Sequence, residues 1–315
     1  MGIRIRLYQR DDANLWNEFA IQSRMRHFFF QREYMEYHKD RFEDYSLLFF
    51  DEKQRLIALL PATKHGGKLV SHGGLTFGGF LVGHRMTASL MLEAMTSLKC
   101  FLVEQGFTEL IYKCIPYIYT QYPSEEDRYA LFRNNAELIR RDISTTILLP
   151  NRYAYSKLRR RMVNKGKRHS IHITESKDYI LFISMMNSIL EKYHGTQAVH
   201  TGQELSMLAE RFPKNIHLYV GELDGKMEAG TVIFENGDVV HTQYLANSDV
   251  GRENGALDCV IDHLIYEVYA DRKYFDFGIS NEKEGRYLNE GLIAQKEGFG
   301  ARAIAHDFYR LQLQL

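Results

Sequence analysis

Residues 273–301 read KYFDFGISNEKEGRYLNEGLIAQKEGFGA. Tyr274, Phe275, Asp276, Phe277 and Gly278 have the apolar density of a short buried strand that carries one acid. A polar segment with glycines at 285 and 291 follows, and then Lys296-Glu297-Gly298-Phe299-Gly300. Placing a carboxyl inside an aromatic strand costs several kcal/mol unless it is paired or hydrogen-bonded. Asp276 is therefore either an acid kept for chemistry or the group that orders the loop after it.

Outward from this stretch, composition narrows the class. The chain has 315 residues, 45% of them apolar and 25% charged, which is the make-up of an ordinary soluble globular protein of one large domain or two. Lys plus Arg number 40, as do Asp plus Glu, so no whole-chain field draws nucleic acid or an anionic membrane, and only local patches could; no DNA partner is expected. Cysteines at 100, 114 and 259 lie too far apart in sequence to signal a disulfide framework or a zinc site. A cytoplasmic location and no metal are expected. The start, MGIRIRLYQRDD, lacks the apolar core of a signal peptide, and no apolar run approaches the ~20 residues of a membrane span.

Patterning then gives the elements. Residues 11–40 read as helices with Trp16 and Phe19 on one face. Strands are expected at 46–50 and 56–62 about a turn at 51–54, followed by a glycine-dense loop at 71–79. Leu90, Met91, Ala94, Met95, Leu98, Phe101 and Leu102 fall at helical spacing, Gly106 ends that helix, and 108–114 and 144–149 are strands. In the second half, strands at 216–222 and 229–234 flank the Asp224-Gly225 turn. A third strand, 238–246, a polar loop with Gly251 and Gly255, an apolar helix from Leu257 to Val268 and the strand at 274–278 follow. The order strand, turn, strand, glycine loop, apolar helix, strand thus occurs twice. Its offset of roughly 170 residues is far beyond the ~20–50 of solenoid repeats, which points to two related domains, with the boundary near 143/144.

Between the halves, YSKLRRRMVNKGKRH at 155–169 puts Lys157, Arg159, Arg160, Arg161, Lys165, Lys167 and Arg168 around a helix. It is either a phosphate-binding surface or a solvated helix face.

A strand ending in Asp-Phe-Gly, a polar loop, a tyrosine at 287 and the Lys-x-Gly-Phe-Gly element at 296–300 resemble the C-terminal part of FemAB-like proteins. These belong to the GNAT superfamily, whose related sequences include the cellulose-biosynthesis-type acetyltransferases. The resemblance covers most of 144–310 and, through the repeat, more loosely 1–143. It implies an α/β (α+β) fold of tandem GNAT-like domains, each a mixed sheet flanked by helices. Residues 1–143 would be a degenerate domain that shapes the acceptor site, and 144–315 would bind the donor and catalyse. The activity implied is N-acyltransfer from an acyl-CoA, such as acetyl-CoA, to an amine on a sugar or cell-envelope precursor. The alternatives are transfer from aminoacyl-tRNA to a peptidoglycan stem peptide, which the basic helix favours, and a binding module without catalysis.

In a GNAT fold the fourth and fifth strands splay apart and the acyl group lies in the gap, where free N–H groups hold the developing oxyanion. The loop into the next helix offers N–H groups to the CoA diphosphate. The superfamily loop Gln/Arg-x-x-Gly-x-Gly/Ala is met here by Arg252-Glu253-Asn254-Gly255-Ala256-Leu257, which departs from it at Leu257. The resemblance implies that Leu245, Arg252, Asn254, Gly255, Ala256 and Lys296 hold the donor. Near 85 the first half has no such loop. On strand 238–246, Val239, His241, Gln243 and Leu245 share one face by the two-residue period. His241 or Asp276 would take the proton of the attacking amine, and Tyr287 would donate to the leaving group. His72, Gln243, Tyr244 and Arg160 are the expected substrate contacts. No P-loop, Gly-x-Ser-x-Gly elbow, dinucleotide fingerprint or His-Glu-x-x-His occurs in the sequence.

Overall fold

The computed structural model describes residues 2–313, with the backbone alone at position 194. The chain forms two units. The first runs to Asp142 and takes in Lys283–Gly285 and the stretch from Ala305; the second holds Ile143–Glu282 and Arg286–Ile304.

In the first unit β1 (Arg4–Leu7) leads into α1 (Ala13–Gln22) and the short α2 (Arg32–Met35). Strands β2 (Glu43–Asp44), β3 (Leu47–Phe50), β4 (Leu56–Leu60), β5 (Thr63–His65), β6 (Lys68–Val70) and β7 (Leu81–Val82) follow. Then come α3 (Ala88–Glu104), β8 (Glu109–Lys113) and α4 (Glu126–Arg133). One antiparallel sheet runs β1–β3–β4–β7, while β6 pairs with β5 antiparallel and with β8 parallel. The Thr87 hydroxyl caps α3 by accepting from Leu90 N. That helix buries Met91, Ala94, Met95, Leu98 and Leu102, the stripe its sequence spacing foretells. Trp16, which is fully buried, donates its indole N–H to the carbonyl of Phe30 at 2.7 Å.

Strand β9 (Glu137–Leu148) starts well before the Ser144 expected, because Arg140, Arg141 and Asp142 mask its pattern. Next come α5 (Lys157–Arg168), β10 (His172–Ser176), α6 (Tyr179–His194), α7 (Gly202–Arg211), β11 (Ile216–Leu223), β12 (Lys226–Asn236) and β13 (Val239–Asn247). The chain closes with α8 (Asp249–Asn254), α9 (Ala256–His263), β14 (Tyr274–Ile279), β15 (Asn281–Glu282), β16 (Tyr287–Leu288), α10 (Glu290–Gly298) and β17 (Arg302–Gln312). The sheet of the second unit runs β10–β11–β12–β13–β14–β9, antiparallel except for the β13–β14 pair.

α9 and the turn after it bury Leu257, Val260, Ile261, Leu264 and Ile265 against Ala229, Ile233, Val240, Phe275 and Phe277 of that sheet. Each large side chain buried this way contributes about 1.5–3 kcal/mol. Phe275→Ala would cost about 3–5 kcal/mol, because Phe275 is fully enclosed and little could relax into the space.

The pairing order β1–β3–β4–β7 repeats as β10–β11–β12–β13, in each case followed by a long apolar helix and another strand. The internal repeat is therefore present in three dimensions. Two expectations need correction. The polar stretch after Asn247 is a helix, since the Ser248 hydroxyl accepts from Gly251 N and caps α8. A bulge also breaks the two-residue period of β13: Thr242 faces Ile233 and Tyr244 faces Val232, which leaves Gln243 over. Val240 and Leu245, of opposite parity, consequently pack on the same core, and His241 does not share a face with Leu245.

Candidate active site

Asp276 is fully buried on β14, where the strand has partners on both sides. Ser144 Oγ and Thr146 Oγ1 of β9 donate to its Oδ1 at 2.7 and 2.6 Å. Its Oδ2 lies 2.7 Å from His241 Nδ1 on β13. Three polar partners offset the desolvation that made this acid conspicuous in the sequence. An ionised carboxylate only accepts, so this contact places the ring proton on Nδ1 and leaves Nε2 as a lone-pair acceptor. The His241 side chain is 15% exposed, so the dyad has a dry end at Asp276 and a wetter end at the ring.

The backbone next to the dyad is held open. Pairing of β14 with β9 is irregular between Asp276 and Ile279, and Lys296 donates there to the carbonyls of Gly278 and Ile279 at 2.9 and 2.6 Å. Burial brings the Lys296 ammonium down to about 8, while Asp276 nearby works to raise it. Gly278 has a φ of +74°, and a Cβ there would come within 3.1 Å of His241 Cε1, so only glycine leaves the ring in place. Lys296 thus ties down the strand end through these two carbonyls.

The strands do splay. β13 pairs with β14 only from Val239 to His241 and then runs on to Asn247 with β12 as its partner. Its open end, Leu245–Asn247, lines a cleft of about 750 Å³ shared by α5, α6, α9 and α10. Arg252 borders this cleft, with its guanidinium 4.7 Å from the centre of the Tyr193 ring.

The turn expected to hold a diphosphate is otherwise engaged. Gly255 (φ +77°) sits so close to α5 that a Cβ on it would collide with the carbonyl of Met162, and one on Gly166 would collide with Cys259 and the Gly255 carbonyl. Asp258, in the first turn of α9, is hydrogen-bonded to its own backbone N–H and receives Arg159 Nη1 at 2.8 Å. Burial pushes its carboxyl up to about 6 against the pull of Arg159. The positive end of α9 therefore already carries a carboxylate, and Ala256 and Leu257 behind it are buried. This helix end is thus occupied by groups of the chain itself.

The remaining candidates scatter. Tyr287 is half-exposed on the β15–β16 hairpin. Tyr244 is buried, with its hydroxyl 2.6 Å from His200 Nδ1, and Asn254 donates within α8 to the Val250 carbonyl. His72 is 2% exposed inside the first unit; its carbonyl accepts from the Lys113 ammonium and burial holds the ring neutral. Such enclosure does not suit the substrate contact expected of it. Arg160 is exposed and joins Lys157, Arg161, Asn164, Lys167 and Arg168 along an open basic groove of about 800 Å³. Arg159 of that helix turns inward to Asp258, and Lys167 reaches Asp262. Ser144, Thr146 and Asp258 went unnoticed in the sequence; the strand periodicity of β9, which puts 144 and 146 on one face, was the available signal.

Among the described residues no group of His, Cys, Asp and Glu side chains could hold a metal ion, the three cysteines are free, and no helix is long and apolar enough to cross a membrane.

Splayed parallel strands, paired hairpins and the twofold repeat define a tandem GNAT fold, a large mixed β-sheet flanked by helices. Among solved structures the chain is similar to FemX, at 10% identity and a TM-score of 0.70 over 98% of this chain and 97% of that one. It is also similar to L-PGS from Bacillus licheniformis (13%, TM-score 0.59, 96% and 91%). A tandem GNAT protein from the clavulanic acid biosynthesis pathway matches at 8%, with a TM-score of 0.53 over 100% and 99%. At these identities the likeness is one of fold. No family model matches the chain, and no curated protein does so significantly.

Proposed function

We propose that this protein is an aminoacyltransferase that moves an aminoacyl group from the 3′ end of a tRNA to an amine and forms an amide. The observation that carries the reading is the engaged end of α9. Asp258, Arg159 and the backbone of α5 fill the place where an acyl-CoA transferase would seat its diphosphate, while the other side of α5 presents a row of cations. A polyphosphate chain lying along α5 could reach the cleft that Leu158, Arg159 and Met162 of the same helix line. This is the donor of the alternative that the FemAB resemblance leaves open beside acyl-CoA, with an amine on a cell-envelope precursor as acceptor.

The hydrogen bond between His241 and Asp276 supports a general-base role for the dyad. Nε2 of His241 accepts a proton as the amine nitrogen attacks the ester carbonyl, and Asp276 stabilises the imidazolium that results. N–H groups on the open side of β13 receive the oxyanion. The C–O bond to the ribose then breaks, and the leaving oxygen takes the proton back, so the products are an amide and a free hydroxyl. Donor binding and catalysis belong to 144–315; residues 1–143, without an Arg-x-x-Gly loop, have no donor role.

Calorimetric titration with aminoacyl-tRNA and, separately, with acetyl-CoA tests the reading. Saturable tRNA binding is expected, with a salt slope that falls by about one for each phosphate contact removed in Arg160→Ala, Arg161→Ala and Arg168→Ala. Tight acetyl-CoA binding with no response to tRNA would overturn it.

A further inference from the structure

Six half-buried aliphatic side chains meet in the cleft of the second unit: Met162 of α5, Met186, Ile189 and Leu190 of α6, Leu245 of β13 and Leu292 of α10. The three on α6 fall at i, i+3 and i+4 and form one stripe along its inner side. Apolar residues from four elements that converge and still keep water contact form a wall shaped for an occupant rather than a closed core.

The charges around the wall narrow that occupant. Asp258 is the one acid lining the cleft, and Arg159 holds it. The other charged lining residue is Arg252, which lies over Tyr193. A cationic side chain would face two guanidinium groups with no free carboxylate to receive it. An acidic one would have to shed its water against methionine, leucine and isoleucine. A methyl group would leave most of the wall wet. The volume, about 750 Å³, sits within the ~300–1,000 Å³ of small-ligand pockets, which leaves room for a terminal nucleoside as well as a sizeable side chain.

We infer that this cleft selects the side chain of the transferred residue and takes a long or branched aliphatic one, of leucine, isoleucine or methionine size. The inference rests on the aminoacyl-transfer reading, and its α6 stripe is the specificity-determining surface. Met186, Ile189 and Leu190 touch the transferred group, and the His241–Asp276 dyad acts irrespective of which residue is carried.

The test uses hydrolysis-resistant 3′-amide analogues of leucyl-, alanyl-, lysyl- and glutamyl-adenosine, with adenosine as reference, and the same residues amide-linked to tRNA. The leucyl analogue should bind at least ten-fold tighter than the alanyl one, and the lysyl and glutamyl analogues no tighter than adenosine. Ile189→Glu, a half-exposed position on a helix that glutamate suits, should erase most of the leucyl preference, read as the ratio of leucyl to alanyl affinity in the same folded variant. Equal affinity for leucyl and alanyl analogues, a preference for a charged side chain, or no binding of any analogue would overturn the inference. The first two results together with normal tRNA binding would leave the donor reading intact. A leucyl preference without any affinity for tRNA would support the side-chain pocket and remove tRNA as the carrier.

Discussion

Asp276 and His241 come from strands that lie 35 positions apart in the chain and meet at a single register, His241 opposite Asp276, in the last pair that β13 and β14 form. That register matters because the carboxylate chooses the tautomer. In Asp276→Asn the amide can present N–H to Nδ1, which turns Nδ1 into the acceptor and moves the ring proton to Nε2. A base would then be lost with little change in volume. Turnover is expected to fall by at least ten-fold and by up to the ~10²–10⁴-fold that general-base catalysis supplies, while the unfolding midpoint shifts little. Steady-state kinetics beside thermal unfolding of the same preparation decides the matter. An unfolded variant, or a folded one with full turnover, would make Asp276 a structural acid held by Ser144 and Thr146.

At the scale of elements, α5 shows what a linear sequence conceals. Its cations looked alike, but the helix divides them: Arg159 turns in to Asp258, Lys167 reaches Asp262, and Arg160, Arg161 and Arg168 face the groove. The division depends on where Gly166 and Gly255 let two backbones touch, a long-range contact that no local pattern announces. Leu257, which departs from the expected loop pattern, is buried at the α9 end and lines the cleft. By contrast α3, α9 and the paired hairpins were legible, since each has an uninterrupted period and a clear turn or cap. β9 was legible only from Ser144 on, and α8 not at all, because Asp249–Asn254 is short and has a single apolar side chain, Val250. Gly255→Val should therefore behave as a packing mutant: its side chain meets the Met162 carbonyl at an unfavourable φ, so destabilisation of a few kcal/mol is expected. Denaturant unfolding measures it. A fully stable Gly255→Val that has lost only acetyl-CoA affinity would restore the anion-loop role to this turn.

At the scale of the whole molecule, each unit carries buried ionisable groups of both pH responses: burial raises Asp127 in the first as it does Asp258 in the second, and lowers Lys296 in the second as it does Lys113 in the first. His72 in the first unit is held well below the usual imidazole range, chiefly by burial and then by His38, Lys113, Arg32 and His65. Lys113, brought down to about 7 by burial, donates to the His72 and Leu75 carbonyls. Both groups bind fewer protons folded than unfolded, so stability rises with pH: below about 6.5 for His72, and from about 7 towards 10.5 for Lys113. Asp258 in the second unit, pushed up to about 6, binds more protons folded, so its contribution falls as pH rises from 3.8 to 6. Acidification from pH 7.5 to 5.5 should therefore weaken the first unit more than the second, at up to ~1.4 kcal/mol per pH unit for each proton taken up on unfolding. The single tryptophan, Trp16, is buried in the first unit, so its fluorescence follows that unit alone. Its thermal midpoint should drop on acidification, and His72→Asn, which tolerates the left-handed φ of +47° at that position, should flatten the drop. A Trp16 midpoint that stays level, or that rises as pH falls, would mean that His72 takes up its proton inside the folded unit and that the interior around it admits water.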